Sequence, residues 1–208
     1  MKSRIHPTAL VEQGVELGER CQVWDNVHIR GPARIGDDCI VGEKSYIAYD
    51  VKIGNKVKIN SFVYICTAVT IEDGVMLSAG TTFTNDRFPR ATTPDLSELR
   101  SSAPDDETLP TLVRRGATVG ARAVIGCDLE IGEFAMVGMG AIVTRSVPAF
   151  HLVVGQPARS IGLVCRCGQP FLRSSDVSSE THAQLGCTHC GLLYAVHRGH
   201  VTELSRCA

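Results

Sequence analysis

The sequence predicts an all-β protein: a parallel solenoid of very short strands, interrupted by one long loop and followed by a small cysteine-rich tail. Three observations predict this class. Apolar residues recur every six positions over most of the chain, one stretch of 29 residues interrupts this period, and four cysteines form two close pairs near the end.

The six-residue period starts at Ile5, runs through fourteen consecutive apolar positions, and resumes at Val113 for six more. This period fits neither a helix turn nor a regular strand, so each hexad is read as a short strand followed by a corner. Three hexads make one triangular coil, and coils stack at the strand spacing of about 4.8 Å. The positions predicted to point into the core are Ile5, Val11, Leu17, Val23, Ile29, Ile35, Val41, Ile47, Ile53, Ile59, Ile65, Ile71, Leu77, Phe83, Val113, Val119, Ile125, Ile131, Val137 and Val143.

Residues 18 apart in the sequence stack on one another in such a solenoid, which predicts columns of side chains. Cys21 and Cys39 fall in an inward column, so we interpret both as small core residues. His28, Tyr46 and Tyr64 form an outward column, and an exposed aromatic stripe of this kind favours a subunit contact over a free surface. Twenty hexads predict between six and seven coils.

The organisation predicted from these patterns has three parts. Residues 1–147 form the solenoid, and residues 84–112, rich in Pro, Ser, Asp and Arg, leave it as an excursion loop and return in register. A loop of this length within a compact fold is usually functional or disordered. Residues 148–164, with two prolines, cap the open end, and residues 165–208 form the tail.

The tail contains Cys165 and Cys167, then Cys187 and Cys190, with nineteen residues between the two pairs. This spacing predicts a four-cysteine zinc ribbon, although the first pair is Cys-x-Cys, and free or redox-active thiols are the alternative. His189 is a possible substitute ligand. A closed four-ligand site leaves no open position for catalysis, so the predicted zinc has a folding role.

Composition excludes several classes of function. Lys and Arg number 21 against 22 Asp and Glu, which leaves no basic patch for nucleic acid or a membrane surface. No stretch approaches 18 apolar residues, and the first residues have no apolar core typical of a signal peptide. We therefore expect a soluble, cytoplasmic protein without nucleic-acid or membrane partners.

Several stretches together resemble one enzyme family, the bacterial hexapeptide N-acetyltransferases that act on UDP-2-acetamido-3-amino-2,3-dideoxyglucuronate. The resemblance spans residues 5–167 and implies a left-handed parallel β-helix, acetyl-CoA as cosubstrate, a nucleotide-sugar acceptor for surface polysaccharide, and a cytoplasmic homotrimer with active sites between subunits. The motifs that carry it are His6-Pro7-Thr8-Ala9, Phe83-Thr84-Asn85 with Pro89-Arg90, Pro110-Thr111-Leu112-Val113, Arg115-Gly116-Ala117-Thr118, Val137-Gly138-Met139-Gly140-Ala141 and Val153-Val154-Gly155-Gln156-Pro157-Ala158-Arg159.

The resemblance implies that Asn85 is the catalytic residue, hydrogen-bonding the sugar amine and orienting its lone pair. An Asx-turn residue closing the strand is the alternative interpretation. Arg87, Arg90, Arg114 and Arg115 lie close to the loop in sequence and are candidates to clamp the anionic acceptor. Solvated surface charges would show the same pattern.

On the donor side, backbone amides of Gly138, Gly140 and Ala141 are candidates to line the pantetheine arm and the thioester oxygen of acetyl-CoA. Service as coil corners is the alternative for the two glycines. Arg145 and Arg159 are candidate partners of the CoA phosphates.

The absence of histidine between Ile29 and Phe150 favours N-acetyl over O-acetyl transfer, because a hydroxyl acceptor needs a general base and a neutral amine does not. It also disfavours a carbonic anhydrase on the same solenoid. Two alternatives stay open: transfer to another acceptor, such as a dTDP-amino sugar or a hydroxyl, and a non-catalytic scaffold.

Overall fold

The computed structural model describes residues 2–173 and 181–206, and these form 26 β-strands and no helix. The all-β parallel solenoid predicted from the six-residue period is confirmed, in an arrangement consistent with the left-handed β-helix that the resemblance implies. None of the described residues lies in a helix of the length and apolarity that a membrane crossing requires.

The first face of the solenoid is the longest and extends into the tail. Its parallel strands pair in register at intervals of 18 residues, as in Arg4↔Gln22 and Ile5↔Val23. They are β1 (Arg4–Ile5), β4 (Gln22–Val23), β7 (Ile40–Val41), β10 (Lys58–Ile59), β13 (Met76–Leu77), β16 (Thr118–Val119), β19 (Met136–Val137) and β21 (His151–Gly155).

The second face leads to the excursion loop. Its strands are β2 (Leu10–Val11), β5 (His28–Ile29), β8 (Tyr46–Ile47), β11 (Tyr64–Ile65), β14 (Thr82–Phe83), β17 (Val124–Ile125) and β20 (Ile142–Val143). The predicted outward column lies here: the His28 and Tyr46 rings meet edge to face at 5.4 Å, and Tyr46 and Tyr64 stack at 5.3 Å.

The third face receives the chain when it returns from the loop. Its strands are β3 (Glu16–Leu17), β6 (Arg34–Ile35), β9 (Lys52–Ile53), β12 (Val69–Ile71), β15 (Thr111–Val113) and β18 (Leu129–Ile131). Val69 pairs with Thr111 and Ile71 with Val113, so the loop inserts residues without shifting the register. Strand β15 already begins at Thr111, two residues before the end of the segment predicted as loop.

The core occupies the inside of the triangular coils. Every predicted inward position from Val23 to Val143 is buried, and only those of the first coil are more exposed, since no coil lies beneath them. Ile5, for example, is 45% exposed. Cys21 and Cys39 are each 1% exposed, which confirms the inward column.

Glycine serves the solenoid by allowing close approach more than by turning the chain. A Cβ on Gly18 would lie 2.5 Å from the Asp37 carboxylate, and one on Gly132 would lie 2.4 Å from the backbone nitrogen of Ala149. The left-handed corners are instead occupied mostly by other residues, such as Asn26 at φ 53°. Packing of the next coil therefore overrides the local cost of a left-handed conformation.

Beyond the last hexad the solenoid continues for part of one more coil. Val147 bridges to Ile131, and β21 pairs in parallel with β19. The chain then turns back through β22 (Ala158–Val164) and β23 (Pro170–Arg173), which are antiparallel. The rest of the tail is an antiparallel sheet of β24 (Thr181–Gly186), β25 (Leu192–His197) and β26 (His200–Arg206).

Candidate active site and metal centre

The excursion loop folds into an arm that is fastened to the solenoid at its neck. The backbone N–H of Leu109 donates to the Asn85 carbonyl at 2.8 Å, and that of Asp128 donates to the Pro110 carbonyl at 2.8 Å. Antiparallel bridges at Asp86↔Thr108 and Thr92↔Leu99 close the arm on itself. At the far end, the Tyr49 hydroxyl donates to the Ser102 carbonyl at 3.3 Å. The arm therefore lies back along the second face.

A cavity of about 500 Å³ lies between the arm and the solenoid. The solenoid contributes Thr67 and Asn85 to its wall, and the arm contributes residues 86–91 and 100–109. This volume falls within the range of small-molecule sites, which are roughly 300–1,000 Å³. The cavity is the place where the sequence-predicted catalytic residue and the loop meet.

Asn85 is held in this wall by its position directly after β14. It follows Phe83 by two residues, and Phe83 is fully buried. Its backbone carbonyl accepts the hydrogen bond from Leu109, so the main chain is fixed while the side chain is half-buried. The carboxamide has no hydrogen-bond partner among the described residues. It is therefore available to a ligand in the cavity.

The cavity wall carries charges of both signs. Arg87 pairs with Asp128 at 2.6 Å, and Arg90 donates to the neighbouring Pro89 carbonyl at 3.0 Å. Arg100, which the sequence analysis did not single out, pairs with Glu107 at 2.6 Å. No sequence pattern distinguishes Arg100 from other loop arginines. Three guanidinium groups thus line the cavity beside carboxylates of the arm, and the guanidinium of Arg90 has no carboxylate partner.

Arg114 and Arg115, predicted to join these arginines, lie elsewhere. Both follow β15 on the third face and neither lines the cavity. Arg114 bridges Glu72 at 3.0 Å and Glu130 at 2.9 Å, and Arg115 pairs with Glu133 at 3.2 Å. Closeness to the loop in sequence does not bring them to the cavity, because the chain has turned a corner by then.

The backbone amides of Gly138, Gly140 and Ala141 are already used within the solenoid. Their N–H groups donate to the carbonyls of Val153 at 2.7 Å, Ala121 at 2.8 Å and Gly138 at 3.3 Å respectively. None of the three is free to donate to a thioester oxygen, so the coil-corner interpretation holds for their amides. Gly140, at φ 66°, has nothing within 4 Å of a Cβ position, so the surface there is open.

Arg145 and Arg159 are exposed near the C-terminal end of the solenoid. Arg145 follows β20 by two residues, the position equivalent to Asn85 after β14, and the side chain has no partner among the described residues. Arg159 donates to the carbonyl of Ala158 at 2.8 Å. Neither cation is neutralised by a carboxylate within the described chain.

The four tail cysteines come together as the spacing predicts. The ligand atoms of Cys165, Cys167, Cys187 and Cys190 all lie within 4.8 Å of one another, and His189 is not part of the cluster. Tetrahedral zinc with Zn–S bonds of about 2.3 Å requires sulfur atoms about 3.8 Å apart. The observed pairs are 3.4 Å and 3.7 Å apart, so the cluster has the dimensions of a metal site.

The surroundings of the cluster favour thiolate at one position. Burial opposes the charged form of Cys187, but the backbone N–H groups of Cys190 and His189 donate to its sulfur and lower its pKa to about 7. Burial raises the pKa of Cys165 to about 12 without a metal. A bound cation would reverse this second shift, because metal-bound thiols are deprotonated.

Comparison with known proteins identifies the repeats. The bacterial transferase hexapeptide (six repeats) family matches residues 14–48 and 50–85, and the hexapeptide repeat of succinyl-transferase matches residues 32–66. A dTDP-3-amino-3,6-dideoxy-alpha-D-galactopyranose 3-N-acetyltransferase of Aneurinibacillus thermoaerophilus is 51% identical over 57 residues, 27% of this chain and 30% of the relative.

Other relatives are more distant or match over shorter stretches. The bifunctional protein GlmU of Heliobacterium modesticaldum is 25% identical over 72% of this chain and 36% of its own length. Serine acetyltransferase of Buchnera aphidicola subsp. Schizaphis graminum is 42% identical over 50 residues, 24% of this chain and 19% of its own. The matches therefore span only about a third or less of these curated relatives.

Two solved structures show the same extent of likeness. PerB from Caulobacter crescentus, in complex with CoA and GDP-perosamine, aligns over 78% of this chain and 58% of its own at 22% identity and a TM-score of 0.38. WeeI from Acinetobacter baumannii aligns over 75% and 56% at 26% identity and a TM-score of 0.44. The repeats of residues 14–85 are thus bacterial transferase hexapeptide repeats, and the chain is a hexapeptide-repeat protein with acetyltransferases among its curated relatives.

Proposed function

We propose that the protein transfers an acetyl group from acetyl-CoA to the amino group of a nucleotide-linked sugar bound in the arm cavity. The observation that carries this proposal is the Asn85 carboxamide, which lines the cavity and has no partner among the described residues. The relative that is 51% identical over 57 residues is a sugar 3-N-acetyltransferase, which supports the acceptor class.

In this proposal the chemistry needs positioning more than acid–base help. A neutral amine attacks the thioester carbonyl, the C–N bond forms, the C–S bond breaks, and CoA leaves as the thiol after a proton passes from nitrogen. The Asn85 carboxamide oxygen accepts a hydrogen bond from the amine and aims the nitrogen lone pair at the thioester. The absence of histidine from Ile29 to Phe150 is consistent with an acceptor that needs no strong base.

The charges of the cavity suit a substrate with an amine at one end and a diphosphate at the other. Arg90 and Arg100 line the wall, and Arg87 is within reach if it exchanges Asp128 for phosphate oxygens. The acceptor that the sequence resemblance favours is a UDP-linked 3-amino uronate, used for surface polysaccharide. A dTDP-linked amino sugar is the second candidate, because the relative with 51% identity acts on one.

Acetyl-CoA would approach from the C-terminal coils. Arg145 and Arg159 offer charges to the CoA phosphates, and the open surface at Gly140 beside the exposed Met139 leaves room for the pantetheine arm. Since acetyl-CoA and nucleotide sugars are made in the cytoplasm, we place the reaction there. Fractionation of cells that produce the full chain checks this location.

Release of free CoA thiol on mixing the protein with acetyl-CoA and an amino sugar tests the proposal. We expect release with at least one of a panel of UDP- and dTDP-linked 3-amino sugars, and none with the matching hydroxyl sugars. Release with the 3-amino uronate alone assigns the favoured acceptor. Silence across the panel together with absent CoA binding would instead indicate a scaffold.

We further propose a homotrimer, as the resemblance implies, with the second face at the subunit contact. Tyr64 is 45% exposed and stacks on Tyr46, and Leu10 and Ile142 on the same face are also exposed. We expect light scattering after gel filtration to give three times the chain mass, and Tyr64→Arg to reduce it by placing charge in the contact. A wild-type monomer at micromolar concentration would contradict this arrangement.

The metal we propose for the tail is zinc, held by Cys165, Cys167, Cys187 and Cys190. Four sulfur ligands close the coordination sphere, and the distances among them fit tetrahedral zinc. Its role is to hold the tail folded over the end of the solenoid.

A further inference from the structure

One buried polar side chain in the cavity wall has no structural task. Thr67 is 7% exposed, so more than nine-tenths of it is buried, and it lines the arm cavity. Its hydroxyl has no hydrogen-bond partner among the described residues. The buried threonines Thr81 and Thr111, by contrast, donate to carbonyls at 2.8 Å and 3.1 Å.

The position of Thr67 relates it directly to Asn85. Thr67 follows Ile65 of β11 by two residues, just as Asn85 follows Phe83 of β14, and the two strands are paired in register. Equivalent positions on adjacent coils are about 4.8 Å apart. Cavity-lining residues from the solenoid are these two alone among the described residues, since the others belong to the arm.

The arm leaves Thr67 accessible to a ligand while covering it from solvent. One coil below, Tyr49 donates to Ser102 of the arm, and one coil above, the Asn85 carbonyl accepts from Leu109. The arm is thus fastened on both sides of Thr67 without contributing a partner to its hydroxyl. Burying an unpaired hydroxyl is unfavourable, and such a cost is typical of a group that awaits a ligand.

We propose that Thr67 is a specificity-determining residue, whose hydroxyl hydrogen-bonds the polar substituent next to the amine on the acceptor sugar. This inference rests on the proposed function. With Asn85 on the amine, a hydroxyl about one coil spacing away reaches the group on the neighbouring ring carbon. The acceptor class is therefore an amino sugar with a hydroxyl or acylamino group vicinal to its amine, and a sugar deoxygenated there is a poorer acceptor.

The test compares Thr67→Val, which keeps the branched shape and removes the hydroxyl, with Thr67→Ser, which keeps the hydroxyl. We expect Thr67→Val to lower kcat/KM for the acceptor about fivefold, the effect of one lost hydrogen bond, without changing KM for acetyl-CoA. Thr67→Ser should retain the wild-type value within about twofold. Thr118→Val, in a half-buried threonine on the first face away from the cavity, is the matched control.

Two further readouts separate recognition from structure. The thermal transition of Thr67→Val should equal or exceed that of the wild type, because an unpaired buried hydroxyl is removed. The loss in kcat/KM should disappear when the acceptor lacks the vicinal polar group. A lowered transition temperature, or equal kcat/KM for wild type and Thr67→Val, overturns the inference while the proposed function stands. A wild-type protein inactive on every amino sugar overturns both.

Discussion

Replacing Asn85 by alanine is expected to lower turnover at least tenfold, and on the order of a hundredfold if its carboxamide is preorganised toward the transition state. The side chain makes no hydrogen bond with the described residues, so its removal leaves no group of the protein unpaired. The thermal transition should therefore stay unchanged. Initial rates of thiol release and a thermal melt of the same preparation check both parts.

A matched control for this experiment is Asn60→Ala. Asn60 follows β10 on the first face, is half-buried, has no side-chain hydrogen bond among the described residues, and does not line the cavity. We expect wild-type rates from it. Wild-type turnover in Asn85→Ala would contradict the assignment. A lowered transition temperature would show that Asn85 serves the strand end instead, as an Asx-turn residue does.

Removing zinc is expected to have the largest effect on stability, lowering the thermal transition by roughly 10 °C. The tail joins the solenoid through a series of aromatic contacts that ends at the metal ligands. Phe134 of the last coil lies 5.5 Å from Phe150, which lies 5.6 Å from Tyr194, and the Tyr194 hydroxyl is 3.1 Å from the Cys165 sulfur. Unfolding of the tail would uncover this end of the core.

Elemental analysis should give one zinc per chain, and a chelator should lower the transition of the wild type. Cys187→Ser should melt at the lower temperature and show no further response to chelator. Cys127→Ser, which changes a half-buried free thiol outside the cluster, should behave like the wild type. Absence of metal together with indifference to chelator would support free thiols in place of a zinc site.

The fold was predictable from the sequence because each hexad carries its own instruction. An inward aliphatic at every sixth position defines a strand and its burial, as Ile29, Ile65 and Val137 show. The cysteine pairs predicted the cluster for the same reason: each pair is local, and the turns at Gly168 and Gly191 bring its two sulfurs together. Asn85 was found because it ends a strand at the mouth of the loop.

The rest of the candidate site depends on which corners of the solenoid face the arm. Arg114 and Arg115 are near the loop in sequence but lie on another face, whereas Thr67, 18 residues before Asn85, lies next to it. Reading the column of Asn85 at a spacing of 18 was the one signal that pointed to Thr67. The donor amides at Gly138 and Gly140 were misjudged because their carbonyl partners lie on neighbouring coils.

The sequence by itself thus determined the solenoid, its register, the inward core and the pairing of the tail cysteines, since each depends on contacts that repeat at a constant interval. Only the tertiary structure decided the path of the arm, the composition of the cavity and the free or occupied state of each polar group. Those depend on single contacts between distant residues, such as Tyr49 with Ser102, for which the chain has no periodic signal.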